Sequence, residues 1–297
     1  MMRIVRVLAI TVSILFIAPV GPGTVFQAQV QQVAMPLAVE QVKPGLYAIL
    51  NPGGNTIAVR VTNQGVVLVD DMPEMYFGEV REKIRSITNQ PVRYVINTHH
   101  HNDHTGGSAQ FKAANTVIVG HEGARARAAC GPNANVAGAP EITYKDQAVI
   151  HMGDAEIQLH HLGRGHTDGD TIVYFPDLKV IATGDLFTAF LNPPRIEPAC
   201  GGSSLEWLKT MDKVLSFDFD RVIPGHGAVS TKEDVAKKRK GMEVLQLRTL
   251  DLIRRGVPKE QYRMQLKIDD LGWTLGLAFG GDGWSTFWDE MAASIKN

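Results

Sequence analysis

The chain has 297 residues, of which 44% are hydrophobic and 21% charged, and its formal net charge is -1. That is enough chain to bury a sizeable core in one large domain or two small ones. The near-zero charge excludes a basic field for nucleic acid and an acidic solubilising tail, and the one dense cationic run, Lys237-Lys238-Arg239-Lys240, reads as a solvated helix face.

Residues 1–28 read as an export signal whose cleavage site is open. Arg3 and Arg6 precede an apolar run from Val7 to Val20 with no acidic residue near it. The run is short for a bilayer span and suited to a signal core. Small residues follow at Gly21-Pro22-Gly23 and Gln27-Ala28, and no Cys follows that could carry a lipid anchor. Removing the segment takes away Arg3 and Arg6, so 30 basic residues become 28 against 31 acidic ones, a net of -3. The mature protein is expected in the periplasm or secreted, with no stable membrane anchor after cleavage. Cys130 and Cys200 could pair in such an oxidising compartment, but their separation alone does not establish it.

From residue 32 to 297 the pattern reads as a single domain. Leu46 to Leu50, Thr56 to Thr62 and Gly65 to Val69 are aliphatic runs separated by Gly, Pro and Asn, which predicts an antiparallel meander. Glu79 to Ile87 has helical character, and Val92 to Asn97 is a buried-type strand running into a His cluster. Thr116 to Val119 reads as a strand and Gly123 to Ala129 as a short helix. Gln147 to His151 and Ala155 to His160 form a hairpin around Met152-Gly153-Asp154, and Ile172 to Phe175 pairs with Val180 to Ala182 across Pro176-Asp177. A helix starts near Ser203-Ser204 and runs to Leu215. A strand from Arg221 to Ile223 ends at Pro224-Gly225, and 231–297 is mostly helical, with a long element to Arg255. Strands first, then strands and helices in two similar halves, predict two packed sheets with helices outside.

The chemistry-bearing residues lie at strand ends. After Val92 to Asn97 comes an H-x-H-x-D-H segment: His99, His101, Asp103 and His104. Imidazole and carboxylate are good zinc donors. In extended chain, residues two apart project to one side, so His99 and His101 can grip one metal while a following turn aims Asp103 and His104 at a second. Three later segments each add one donor in a Gly-flanked loop: His166 in Gly165-His166-Thr167-Asp168-Gly169-Asp170, Asp185 in Thr183-Gly184-Asp185, and His226 in Pro224-Gly225-His226-Gly227. His100, His121, His151, His160 and His161 read as core or surface histidines.

These ordered motifs, with the Val67-Leu68-Val69-Asp70 strand end, resemble the metallo-beta-lactamase-fold superfamily from Val42 to Ser230. The resemblance implies an α/β fold, a four-layer αβ/βα sandwich with a helical C-terminal extension, and a dinuclear site on one edge. It implies that His99, His101 and His166 hold the first of two zinc ions, that Asp103, His104 and His226 hold the second, and that Asp185 bridges both. Asp70 matches a supporting position behind the ligands.

Two zinc ions about 3.5–4 Å apart can share a water and lower its pKa toward about 7. The expected function is therefore hydrolysis by a metal-bound hydroxide, with Asp103 orienting it and taking its proton. The target is an amide or ester-type bond in a small-molecule substrate such as a beta-lactam or lactone. No G-x-S-x-G elbow is present. Beta-lactamase subclasses carry Cys or Ser where this chain has Asp185, and the bridging Asp looks more like lactonases, thioesterases and esterases. The Gly-rich loop and helix from Pro198 to Leu215 look beta-lactamase-like. A phosphodiesterase, or a sulfur dioxygenase holding a single iron, stays as an alternative. The sequence does not speak to oligomeric state.

Overall fold

Aliphatic runs broken by Gly, Pro and Asn give two sheets, each with one face turned to the other. The computed structural model describes residues 36–296 except 53, 131–134, 191 and 274–282, so residues 1–28, expected to be an export signal, lie outside the described residues. The first sheet runs in chain order through β1 (Ala38–Lys43), β2 (Leu46–Leu50), β3 (Thr56–Thr62), β4 (Gly65–Val69), β5 (Val92–Asn97), β6 (Val117–His121) and β7 (Ile142–Tyr144). β1 to β4 are antiparallel and β4 to β7 parallel. The second sheet contains β8 (Gln147–Met152), β9 (Ala155–His160), β10 (Ile172–Phe175), β11 (Val180–Ala182), β12 (Arg221–Ile223) and β13 (Ser230–Thr231), in the order β13-β12-β11-β10-β9-β8.

Period-two alternation assigns each strand residue to a layer. In β4, Val67 and Val69 enter the core between the sheets, where they join Val173, Phe175 and Val180 of the second sheet. Val66 and Leu68 point outward onto Val80 and Ile84 of α1 (Phe77–Ile87). On the far side, Ile172, Ile181 and Val222 pack against Trp207 and Met211 of α5 (Ser204–Leu215), Met242 and Leu245 of α6 (Lys232–Arg254), and Phe287 and Met291 of α8 (Gly283–Lys296). The result is the four-layer αβ/βα sandwich. The remaining α-helices are α2 (Asn102–Thr105), α3 (Ser108–Ala113), α4 (Glu122–Ala126) and α7 (Tyr262–Gln265).

Helix ends follow their caps. Ser203 accepts the Glu206 N–H at 3.1 Å, and Thr231 forms a reciprocal capping box with Asp234. Glu290 of α8 accepts the Ser204 N–H at 2.8 Å, so a carboxylate from the C-terminal helix sits at the positive end of α5. Trp273, Trp284, Phe287 and Trp288 are all in the core on this side, which places the C-terminal part against the sandwich. No helix among the described residues is long and apolar enough to cross a membrane.

Three local expectations are corrected. The Gly123 to Ala129 helix is shorter, ending at Ala126. Asp103 and His104 sit on the single-turn helix α2 rather than on a bare turn. Lys238, in the run read as solvated, is 6% exposed; its Nζ donates to the Thr188 carbonyl and lies over the Phe187 ring. Cys130 and Cys200 form a disulfide with Cα atoms 6.3 Å apart.

Candidate metal centre

The two sheets end together at one edge of the sandwich, and their C-terminal strand ends deliver the donors. His99 and His101 follow β5, with Asp103 and His104 on α2 just beyond. His166 lies between β9 and β10, Asp185 after β11, and His226 after β12. All seven residues named from the sequence come together there.

They form two groups of three. His99 Nε2 stands 3.0 Å from His101 Nδ1, and His166 Nε2 stands 3.1 Å from the same atom. In the second group, His226 Nε2 is 3.3 Å from His104 Nε2 and 3.3 Å from Asp103 Oδ2, while His104 Nε2 is 3.6 Å from Asp103 Oδ2. Asp185 lies between the groups. Its Oδ1 is 3.3 Å from both His104 Nε2 and His226 Nε2, and its Oδ2 is 3.7 Å from His166 Nε2. The geometry thus allows two cations, one per group, with Asp185 reaching both.

The outer contacts fix which ring nitrogen faces inward. His166 Nδ1 is 3.0 Å from the Arg195 carbonyl, which can only accept, so Nδ1 carries the proton and Nε2 keeps its lone pair. His101 Nε2 lies 2.9 Å from Glu197 Oε2, and Glu197 Oε1 is held by Arg195 at 2.6 Å. His104 Nδ1 lies 2.8 Å from Asp70 Oδ2, and the Thr98 N–H and hydroxyl both donate to Asp70 at 2.8 Å. Carboxylates and carbonyls behind imidazoles are the usual support of a metal site.

Whether a cation fits can be tested on the residues themselves. Asp185 Oδ1 is buried and has no hydrogen-bond partner, although Asp185 is only 4% exposed. Its nearest neighbours are the His104 and His226 ring nitrogens, both at 3.3 Å, whose positive charge a bound cation would replace. Three imidazole nitrogens converging at 3.0–3.1 Å likewise cannot satisfy one another. The donor set fits a divalent metal such as zinc.

The charges divide between the groups. Burial, reinforced by the neighbouring His104 and His101, holds His99 well below its ordinary pKa, and burial takes His166 down to about 4. Both are neutral imidazoles near pH 7. Burial also opposes protonation of His226, but the Asp185 and Asp103 carboxylates outweigh it and raise it to about 9. For His104 burial is outweighed by Asp103, Asp185 and Asp70, and its pKa is raised well above the ordinary value. Asp103 and Asp185 resist burial through those same histidines and stay ionised.

Glycine clears the floor of the site. Gly184 has a φ of +50°, and a Cβ there would run into Thr98; a Cβ at Gly225 would run into Asp185 Oδ1.

A family model described as the metallo-beta-lactamase superfamily matches residues 51–226. The chain belongs to the metallo-beta-lactamase superfamily. It is 27% identical over 195 residues to the 2,4-dinitroanisole O-demethylase subunit alpha of Nocardioides sp. (strain JS1661), covering 64% of this chain and 57% of that one. The chain therefore spans little more than half the length of that relative. It is 27% identical over 198 residues to the metallo-beta-lactamase type 2 of Bacillus cereus, covering 65% of this chain and 70% of the relative. A metallo-beta-lactamase from Pontibacter korlensis superposes with a TM-score of 0.61 at 19% identity, over 70% of this chain and 99% of the other, and shares the fold.

Sequence reasoning missed several residues of this superfamily member's site. Asn55, 4% exposed, donates from Nδ2 to Asp103 Oδ2 at 2.9 Å. Glu197 and Arg195 back His101, and nothing in their local sequence marks them. Asp170, in the same Gly-rich loop as His166, accepts from the Thr167 N–H and hydroxyl and so shapes the turn carrying His166.

Proposed function

We propose that this chain is an exported metal-dependent hydrolase that binds two zinc ions and cleaves an amide or ester-type bond in a small molecule. The observation that carries the dinuclear reading is Asp185, whose Oδ1 faces His104 and His226 while its Oδ2 faces His166. His99, His101 and His166 would hold one ion, Asp103, His104 and His226 the other, with Asp185 shared. Bound there, the ions would polarise the scissile carbonyl and lower the pKa of a shared water.

The protein's own groups do the rest. Asp103 is the most exposed of the donors, at 36% of its side chain, and its carboxylate stays ionised. It is placed to orient the attacking water and receive its proton. Asp70, Glu197 and the Arg195 carbonyl keep three imidazoles turned the right way. A single-iron dioxygenase would leave the Asp103, His104 and His226 group without a role. The Cys130–Cys200 disulfide supports an oxidising compartment, in keeping with export.

The test is elemental analysis of zinc-reconstituted protein beside a hydrolysis screen of beta-lactams, lactones, thioesters and phosphodiesters. Two zinc ions per chain and turnover of an amide or ester-type substrate are expected. At most one ion per chain, or iron with no hydrolysis of any of these, overturns the reading.

A further inference from the structure

We propose that the side-chain oxygen of Asn55 is a further ligand of the cation held by Asp103, His104 and His226, an inference that rests on the dinuclear reading above. The Asn55 amide tip, placed as Nδ2, lies 2.9 Å from Asp103 Oδ2, 3.3 Å from His226 Nε2 and 3.5 Å from His104 Nε2. Those three atoms lie 3.3 to 3.6 Å from one another. The amide tip therefore caps the triangle of these three donor atoms at distances of 2.9 to 3.5 Å. Ligands sharing one zinc ion with bonds of about 2.0–2.1 Å stand roughly 3 to 3.5 Å apart. Asp185 Oδ1, 3.3 Å from both His104 Nε2 and His226 Nε2, already faces this cation, so the amide tip has the spacing of a fifth donor.

The two ends of a carboxamide are almost equal in size, and a half-turn of its last torsion exchanges them. No hydrogen bond among the described residues holds Asn55 Oδ1, so the turn gives up the contact to Asp103 and exchanges the atom that faces His104 and His226. An NH2 group facing a cation is repelled, whereas the oxygen offers a lone pair. The exchange follows from the presence of the ion.

The backbone is built to keep the amide there. Asn55 and His226 form an isolated antiparallel bridge. The Thr56 N–H donates to the Gly225 carbonyl at 2.9 Å, the Thr56 hydroxyl to the Gly227 carbonyl at 2.6 Å, and the Gly227 N–H to the Gly54 carbonyl at 3.2 Å. The β2–β3 turn is thus clamped to the loop carrying His226, and these bonds use main chain and Thr56, so they survive changes at Asn55. A neutral oxygen adds a donor without adding charge to a group that already holds Asp103 and Asp185.

Two variants separate a ligand from a hydrogen-bond donor to Asp103. Asn55→Asp keeps an oxygen and loses the amide hydrogens; Asn55→Leu keeps bulk and loses both. Metal-free wild type and variants are titrated with cobalt(II), following visible absorption and heat, with circular dichroism as a check on folding. The ligand role predicts two equivalents for wild type and Asn55→Asp. It predicts a second equivalent weakened about tenfold or more, with altered absorption, for Asn55→Leu. Wild-type affinity and spectrum for Asn55→Leu would overturn the inference. Loss of the second ion in Asn55→Asp would also overturn it, assigning Asn55 to the hydrogen bond instead, and this arm decides even if the Leu variant does not fold. A wild type that takes one equivalent defeats the dinuclear reading and this inference together; two equivalents with unaffected variants defeats only the role of Asn55.

Discussion

Asp70 and His104 are 34 residues apart in sequence, yet Asp70 Oδ2 lies 2.8 Å from His104 Nδ1, with both side chains buried. Asp70 adopts a φ of +63° at the end of β4, a conformation that few non-glycine residues take and that Asp tolerates better than most. Asp70→Asn keeps the shape and removes the charge. The expected outcome is a 10- to 100-fold loss of affinity at the Asp103, His104 and His226 group. Competition with a chromophoric chelator measures it, and unchanged affinity would show that Asp70 only shapes the chain.

Asp103→Ala should lower kcat and kcat/KM by similar factors, on the order of a hundredfold, as for loss of a positioned acid–base group. Because Asp103 is also a candidate ligand, the comparison requires matched zinc occupancy. A raised KM with kcat untouched would make Asp103 a substrate contact.

Cation binding to the Asp103, His104 and His226 group should displace protons. Raised pKa values, to about 9 for His226 and well above the ordinary value for His104, leave both protonated at pH 7 in the metal-free protein, and ligation requires the free base. Affinity there should rise with pH up to about 9 and fall in acid. Calorimetry in buffers of different ionisation heat should count about two protons released for this ion. A release near zero would mean that the histidines enter the metal-free site neutral.

Cys130→Ser with Cys200→Ser should destabilise the fold by about 2–4 kcal/mol in denaturant unfolding, since the bridge closes a long loop of the unfolded chain. The same bridge anchors the turn that begins at Glu197, whose carboxylate holds His101. The double variant should therefore also bind the His99, His101 and His166 ion more weakly than wild type. Undiminished stability would argue that the cysteines do not pair in the folded protein.

How much could be read from the sequence depended on whether a residue's signal was local. β2, β3, β4 and β9 match their expected bounds because each is an aliphatic run ended by turn residues. β1 and β7 went unread because both are sheet edges with largely exposed side chains, so no alternation marks them. The seven donors stood out because His and Asp recur at strand ends in Gly-rich loops. Asn55 did not, since an amide in a turn is common and its partner Asp103 lies 48 residues away. The charge of the Lys237 to Lys240 run hides the helical period that buries Lys238. It lies three residues after Val235 and four before Met242, both buried, so it faces the core.

Each three-donor group takes two members from the segment that runs from the end of β5 through α2 and one from a loop of the second sheet: His166 in the first, His226 in the second. Neither sheet alone can assemble either group. A cation held at this edge would act as a rivet through the seam, and any opening that parts the sheets would have to release it first. Free metal would then raise the melting temperature in proportion to the logarithm of its concentration, and protease sites along the seam would be shielded in step with it.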